Sequence, residues 1–108
     1  MARKNSFENK QLTDTTYFIL LCLTEPSHGY ALMGKIRDVS SGGFIVGPAS
    51  MYTNLKKLLD AGLVEIIKSD KKIYRLTQKG AEFLLSEYER RRKIVQQSES
   101  IIKRLRGE

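Results

Sequence analysis

Ser50, Thr53, Asn54 and Lys57 fall on one side of the stretch Val46–Leu63, with Ala49 and Lys56 beside them. These side chains are short or flexible, rich in hydrogen-bond donors, and include no carboxylate. Such a face suits a polyanion: ammonium groups meet phosphates, while hydroxyls and amides reach base edges. Tyr52, nearer the apolar side, braces the helix or touches a phosphate. Asp60, the one acid, comes in the last turn. The frame is equally readable. Pro48 suits the first turn of a helix, where its missing N–H costs nothing. Gly62 suits a left-handed stop. Between them Met51, Leu55, Leu58 and Leu59 recur at i, i+4, i+7 and i+8, one stripe of an amphipathic helix. The expectation is a DNA recognition helix starting at Pro48. An ordinary solvated helix face would carry similar residues, so the neighbouring elements decide.

After Leu63 the period changes to that of strands. Val64–Lys68 and Ile73–Leu76 flank the turn Ser69-Asp70-Lys71-Lys72, a hairpin whose tip sets Lys68, Lys71 and Lys72 against Asp70. Upstream, Thr13 or Asp14 can cap a helix running to about Thr24, stopped by Glu25-Pro26. That helix is apolar nearly all round from Tyr17 to Leu23, so it is expected to be covered on two sides, by its own domain and by a partner subunit. Ser27-His28-Gly29-Tyr30 reads as a turn into a second helix, Tyr30 to Val39, with Tyr30, Leu32, Met33 and Ile36 as its apolar positions. Ser40-Ser41-Gly42-Gly43 ends it, and Phe44-Ile45-Val46 is a short extended link. Three helices and then a basic hairpin is the winged-helix order, with the third helix in the major groove and the wing on the backbone or minor groove.

Thr77 can cap a last helix reaching about Arg106. At about 1.5 Å per residue it is longer than its own domain can bury. Its stripe continues regardless: Ala81, Tyr88, Val95 and Ile102 repeat every seven residues, Leu84 and Leu105 hold the second heptad position, and Ile94 and Ile101 flank them. A helix that stays amphipathic beyond its domain needs another surface, most simply a second copy of itself, antiparallel or crossed. Arg91 and Ser98 interrupt the second heptad position and argue against a long parallel zipper. Arg90-Arg91-Arg92-Lys93 is read as a solvated face paired to Glu87 and Glu89. The expected interface residues are Tyr17, Leu20, Leu21, Leu84, Tyr88, Val95, Ile102 and Leu105. The fold class is therefore mainly α with a small β-hairpin: a basic arm over 1–11, a winged helix-turn-helix over 12–76 and a dimerisation helix over 77–108.

Net charge is +7, distributed as +2 over 1–11, −1 over 12–46, +1 over 47–63, +2 over 64–76 and +3 over 77–108. The basic residues cluster at the arm, the proposed recognition helix, the hairpin and the last helix, which suits nucleic acid before membrane. No apolar run spans a bilayer and no signal-peptide core follows the basic start, so a cytoplasmic location is expected. One cysteine and one histidine cannot make the usual zinc site. Cys22 is read as a small buried apolar residue and His28 as a turn or capping residue. There is no phosphate loop, paired-carboxylate cleft or nucleophile–base pair, so neither an enzyme nor a cofactor is expected.

In order along the chain, Leu12–Leu20, His28-Gly29-Tyr30, Gly47-Pro48-Ala49-Ser50-Met51-Tyr52, Leu55-Lys56-Lys57-Leu58, Gly62-Leu63-Val64 and Tyr74-Arg75-Leu76-Thr77-Gln78-Lys79-Gly80 resemble the motifs of the PadR family of bacterial transcription regulators. The resemblance covers about residues 12–90. It implies a homodimeric winged-helix protein that binds double-stranded DNA, most often a repressor, whose last helix dimerises partly against the first helix of the other subunit. It also implies a small aromatic effector at the dimer interface. Drug-binding relatives use a tryptophan there, and this chain has none. Tyr88 is read first as a packed interface tyrosine and second as a stacking surface. The assigned DNA-contacting residues are Ser50, Tyr52, Thr53, Asn54, Lys56, Lys57, Lys68, Lys71 and Lys72. The rival reading is a winged-helix dimer that binds protein and never touches DNA.

Overall fold

The computed structural model describes Phe7 and residues 11–108. The basic arm expected over 1–11 lies outside the described residues apart from Phe7 and Gln11. The chain runs α1 (Asp14–Cys22), β1 (Ser27–His28), α2 (Gly29–Val39), α3 (Pro48–Asp60), β2 (Val64–Lys68), β3 (Ile73–Leu76) and α4 (Gln78–Leu105). The architecture is mainly α with a small antiparallel sheet and a long last helix.

Caps supplied by the sequence mark the start of α1 and the ends of α2 and α3. Thr13 caps α1, its Oγ1 accepting from the Thr16 N–H at 3.2 Å, while the Thr16 hydroxyl returns a bond to the Thr13 carbonyl at 3.1 Å. α3 opens on Pro48 and closes in a Schellman turn. Gly62 sits at φ +76°, its N–H reaches Leu59 O at 3.0 Å, and the Leu63 N–H reaches Leu58 O at 3.0 Å. α2 ends the same way around Ser41 and Gly42, both at positive φ. Ser40 Oγ accepts from the Phe44 N–H at 3.0 Å and ties the link to the helix end.

The sheet corrects one expectation. Ser27-His28 is not a free turn but a third strand, giving the order β1-β3-β2. Ser27 pairs with Tyr74 and His28 with Ile73. β2 pairs antiparallel with β3 from Val64↔Leu76 to Lys68↔Ile73, with a bulge between Ile66 and Lys68.

The core joins α1, α2 and α3 over the sheet: Ile19, Leu20, Leu23, Leu32, Ile36, Met51, Leu55, Leu58 and Leu63 are fully or almost fully buried. Phe18 stacks on Phe44 with ring centres 4.9 Å apart, and Phe7 meets Phe83 edge-on. Tyr30, expected among the apolar positions of α2, is 78% exposed. The buried side of α2 instead runs Gly29, Leu32, Ile36, so Tyr30 is one residue off that face. α4 holds 28 residues and is about 42 Å long. Its far half leaves the domain, which gives the chain extents of 56 × 37 × 25 Å.

Candidate nucleic-acid interface

Burial of Met51, Leu55 and Leu58 against α1 and α2 turns the other side of α3 outward. Ser50, Tyr52, Thr53, Lys56 and Lys57 are exposed and Asn54 is half-buried. The Asn54 amide nitrogen donates to Ser50 O at 2.8 Å and lies 3.3 Å from Ser50 Oγ, so these two residues present a joint polar patch. Lys56 pairs with Asp60 at 3.2 Å, and both side chains are exposed. An exposed pair of this kind contributes about 0–1 kcal/mol, which a phosphate can outcompete. Lys57 makes no ion pair among the described residues.

The wing is joined to the helix-turn-helix by the pairing of β1 with β3 and, at its tip, by the one histidine. His28 Nδ1 lies 3.1 Å from Lys71 O. A carbonyl only accepts, so Nδ1 carries the proton. His28 occupies the N-cap position of α2 but makes no side-chain cap there; its ring reaches the hairpin instead. Lys68, Lys71 and Lys72 are all exposed, and Lys72 turns the tip at φ +47°. A groove of about 350 Å³ runs between the start of α2, Tyr52 of α3 and the wing, with Tyr30, Tyr52, Lys71 and Lys72 on its walls. Gly29 makes this fit possible. A Cβ on Gly29 would stand 2.9 Å from Tyr52 Cε1 and 3.2 Å from Leu55 Cδ1, so the bare glycine lets the Tyr52 ring lie on the first turn of α2.

The back end of α3 is clasped by the start of α4. Thr77 Oγ1 donates to Gly62 O at 2.6 Å, the Thr77 N–H bonds Leu63 O at 3.1 Å, and Lys79 Nζ donates to Ala61 O at 2.9 Å. A cation on the last carbonyls of a helix is favourable. A Cβ on Gly80 would fall 1.9 Å from Leu63 O. The segment Thr77-Gln78-Lys79-Gly80 is thus a socket for the C-terminus of α3, and it aims that helix from behind.

A third cluster was not foreseen from the sequence. Glu87 is fully buried on α4. It accepts from the Leu12 N–H at 2.8 Å, from Arg90 at 2.5 and 2.9 Å and from Arg91 Nε at 3.4 Å. Hydrogen bonding from Arg90 holds its carboxyl below the ordinary carboxylate value. Burial opposes that shift, and the Leu12 N–H adds to it. The expected pairing of Glu87 with its basic neighbours is present, but on a buried carboxylate rather than a solvated face. Arg92 pairs with Glu89 at the surface, as read. Burial also pushes the Cys22 thiol up, away from the reactive thiolate.

Of the residues assigned to a subunit interface, Tyr88, Val95, Ile102 and Leu105 are exposed in the single chain, and Tyr17 and Leu21 are half-buried. Leu20, at 0% exposure, and Leu84 lie in the protomer's own core. They support that surface from beneath and do not face outward, which corrects their placement. Tyr17, Tyr88, Arg91 and Val95 line a groove of about 510 Å³. Among the described residues no cluster of His, Cys, Asp or Glu could hold a metal, and no helix is long and apolar enough to cross a membrane.

The fold is shared with solved structures of other proteins. RosR of H. salinarum matches with a TM-score of 0.64 at 24% identity, over 89% of this chain and 94% of that one. A transcriptional regulator from Clostridium thermocellum, Cth-833, matches with a TM-score of 0.60 at 20% identity, over 78% and 90%. A complex structure of hsRosR-S1 matches with a TM-score of 0.58 at 26% identity, over 84% and 95%. Comparison with curated proteins gave no match. The model of the transcriptional regulator PadR-like family matches residues 19–86, from α1 through the clasp at Gly80. The chain therefore belongs to the PadR-like family of transcriptional regulators.

Proposed function

We propose that this protein is a homodimeric, sequence-specific DNA-binding regulator, acting in the cytoplasm as a repressor on a palindromic operator. Members of its family are transcriptional regulators, not enzymes. The carrying observation is the shared surface of α3 and the wing: a helix face without a carboxylate before Asp60, Tyr52 on its flank, and Lys71 and Lys72 across a groove closed by the β1–β3 pairing and the His28 contact to Lys71. Lys56, Lys57, Lys71 and Lys72 meet phosphates. Ser50, Thr53 and Asn54 stand nearest the bases, and Lys68 extends the basic wing. Two copies bring two such helices to successive major grooves, about one helical turn apart or a multiple of it. The apolar stripe Tyr88, Val95, Ile102, Leu105, left bare in the single chain, supports pairing through α4. The groove between Tyr17, Tyr88 and Val95 supports relief by a small flat aromatic ligand.

Selection of bound duplexes from a random pool tests the reading. A twofold-symmetric motif with a fixed half-site separation is the expected result, with affinity that falls steeply as salt rises. A pool that yields no enriched motif, or a log K against log salt slope near zero, would sink it.

A further inference from the structure

Past Leu84 the last helix departs from the winged domain, and a buried carboxylate stands at the point of departure. Glu87 receives the Leu12 N–H, both donors of the Arg90 fork and Arg91 Nε. Arg91 carries the tie further: one guanidinium nitrogen donates to Asp14 Oδ1 at 2.7 Å, another to Leu12 O at 2.9 Å, and the guanidinium carbon stands 4.2 Å from the Tyr17 ring centre. The cluster therefore binds α4 to Leu12, two residues before α1, and to Asp14 and Tyr17 at the start of that helix. A fully buried carboxylate is stable only while its donors stay in place. Hydrogen bonds are directional, whereas an apolar contact such as Phe7 on Phe83 tolerates sliding. On the other side of this cluster Ile94, Val95, Ile101, Ile102 and Leu105 are all exposed.

We propose that Glu87, acting with Arg91, is a positioning residue that fixes the angle between the winged domain and the outer half of α4, and so sets the half-site spacing the dimer accepts. The proposal rests on the dimeric DNA-binding reading above. From Glu87 to Leu105 the helix extends about 27 Å. A swing of about 10° at the pivot moves its tip by about 5 Å, more than the rise of one base pair, about 3.4 Å. Both domains of a twofold dimer swing and their displacements add, so discrimination between spacings one base pair apart needs each pivot stiff to about 4°.

Two measurements on the full chain decide it. In the first, spin labels on Arg37→Cys and Gln97→Cys, diluted with unlabelled protein, report the distance between domain and rod without DNA. The parent gives one narrow distribution and Glu87→Gln broadens it about twofold. In the second, duplexes carrying two half-sites at separations stepped by one base pair are compared. The parent prefers one separation by about tenfold over its neighbours, and Glu87→Gln reduces this below about threefold, with single half-site affinity and dimer mass retained. Arg91→Lys, which keeps the charge but loses the fork to Asp14 and Leu12, shows the same change and serves if Glu87→Gln fails to fold. An unbroadened distance in the folded variant, or the parent's spacing preference kept in it, overturns the proposal. If the parent binds no duplex, the DNA-binding reading falls, while the label distances still decide whether Glu87 sets the angle.

Discussion

Gly80 shows what a single residue can dictate. Its missing side chain lets α4 rest on the Leu63 carbonyl, where a Cβ would stand 1.9 Å from the oxygen. No rotamer relieves a contact with backbone, so Gly80→Ala must displace α4 or the end of α3. Overpacking of this kind costs at least about 1–3 kcal/mol, and a fall in Tm of about 4 °C or more is expected. An unchanged melting curve would show that the clasp is looser than described. Glu87 gives a second residue-level expectation, in pH. Its folded carboxyl is held below the ordinary value of 4.5 by the Arg90 hydrogen bond. A depressed acid stabilises the fold in full above its unfolded pKa, and that stability is lost as pH falls from about 4.5 through the lowered native value. Chemical denaturation between neutral pH and pH 3 should show a steeper acid loss in the parent than in Glu87→Gln; parallel curves would exclude the linkage. Neither residue announced its role in the sequence. Gly80 was legible only as a motif letter. Glu87, on a charged helix, read as solvated, because its Leu12 partner lies 75 positions away.

At the scale of elements, α3 was the most legible part of the chain, since Pro48, Gly62 and a stripe of four apolar residues mark its limits and its buried side. β1 was not, because a two-residue strand has no period to detect; it exists only because β3 offers an edge to Ser27 and His28. α2 was placed within a residue but turned slightly wrong, since Tyr30 and Leu32 cannot both face the core. On the proposed function the same elements divide the labour of binding. Lys57 stands on the outer side of α3 without an ion pair among the described residues, so Lys57→Ala should weaken cognate and random duplexes alike and flatten the salt slope by about one unit per phosphate lost. Asn54 is joined to Ser50, and Asn54→Ala should instead erode sequence preference, with a cognate-specific loss of about 1–3 kcal/mol. Equal losses on both duplexes would remove Asn54 from the bases.

For the whole molecule, the decisive surface is the one the single chain leaves bare. The heptad stripe of α4 was readable along its length, but where the domain ends beneath it was not. Periodicity alone placed Leu84 at the interface with Val95, although the first is core and the second is 65% exposed. That boundary now selects the substitution. Val95→Glu puts a carboxylate in the middle of the exposed stripe, where burial against another apolar helix without a partner costs several kcal/mol, and each 1.4 kcal/mol is about tenfold in dimer dissociation constant. Gln97→Glu adds the same charge about 200° around the helix and is the control. Sedimentation should find the parent and Gln97→Glu at twice the 12.3 kDa chain mass and Val95→Glu near one chain mass at micromolar concentration. Because α3, the wing and their clasp lie on the far side of Glu87 from Val95, the monomer should keep its half-site affinity and lose the gain from joining two half-sites on one duplex, which for linked sites is about 10²–10⁴-fold. A Val95→Glu protein that still sediments as a dimer would move the interface off the stripe. One that becomes monomeric yet keeps full-palindrome affinity would separate pairing from recognition altogether.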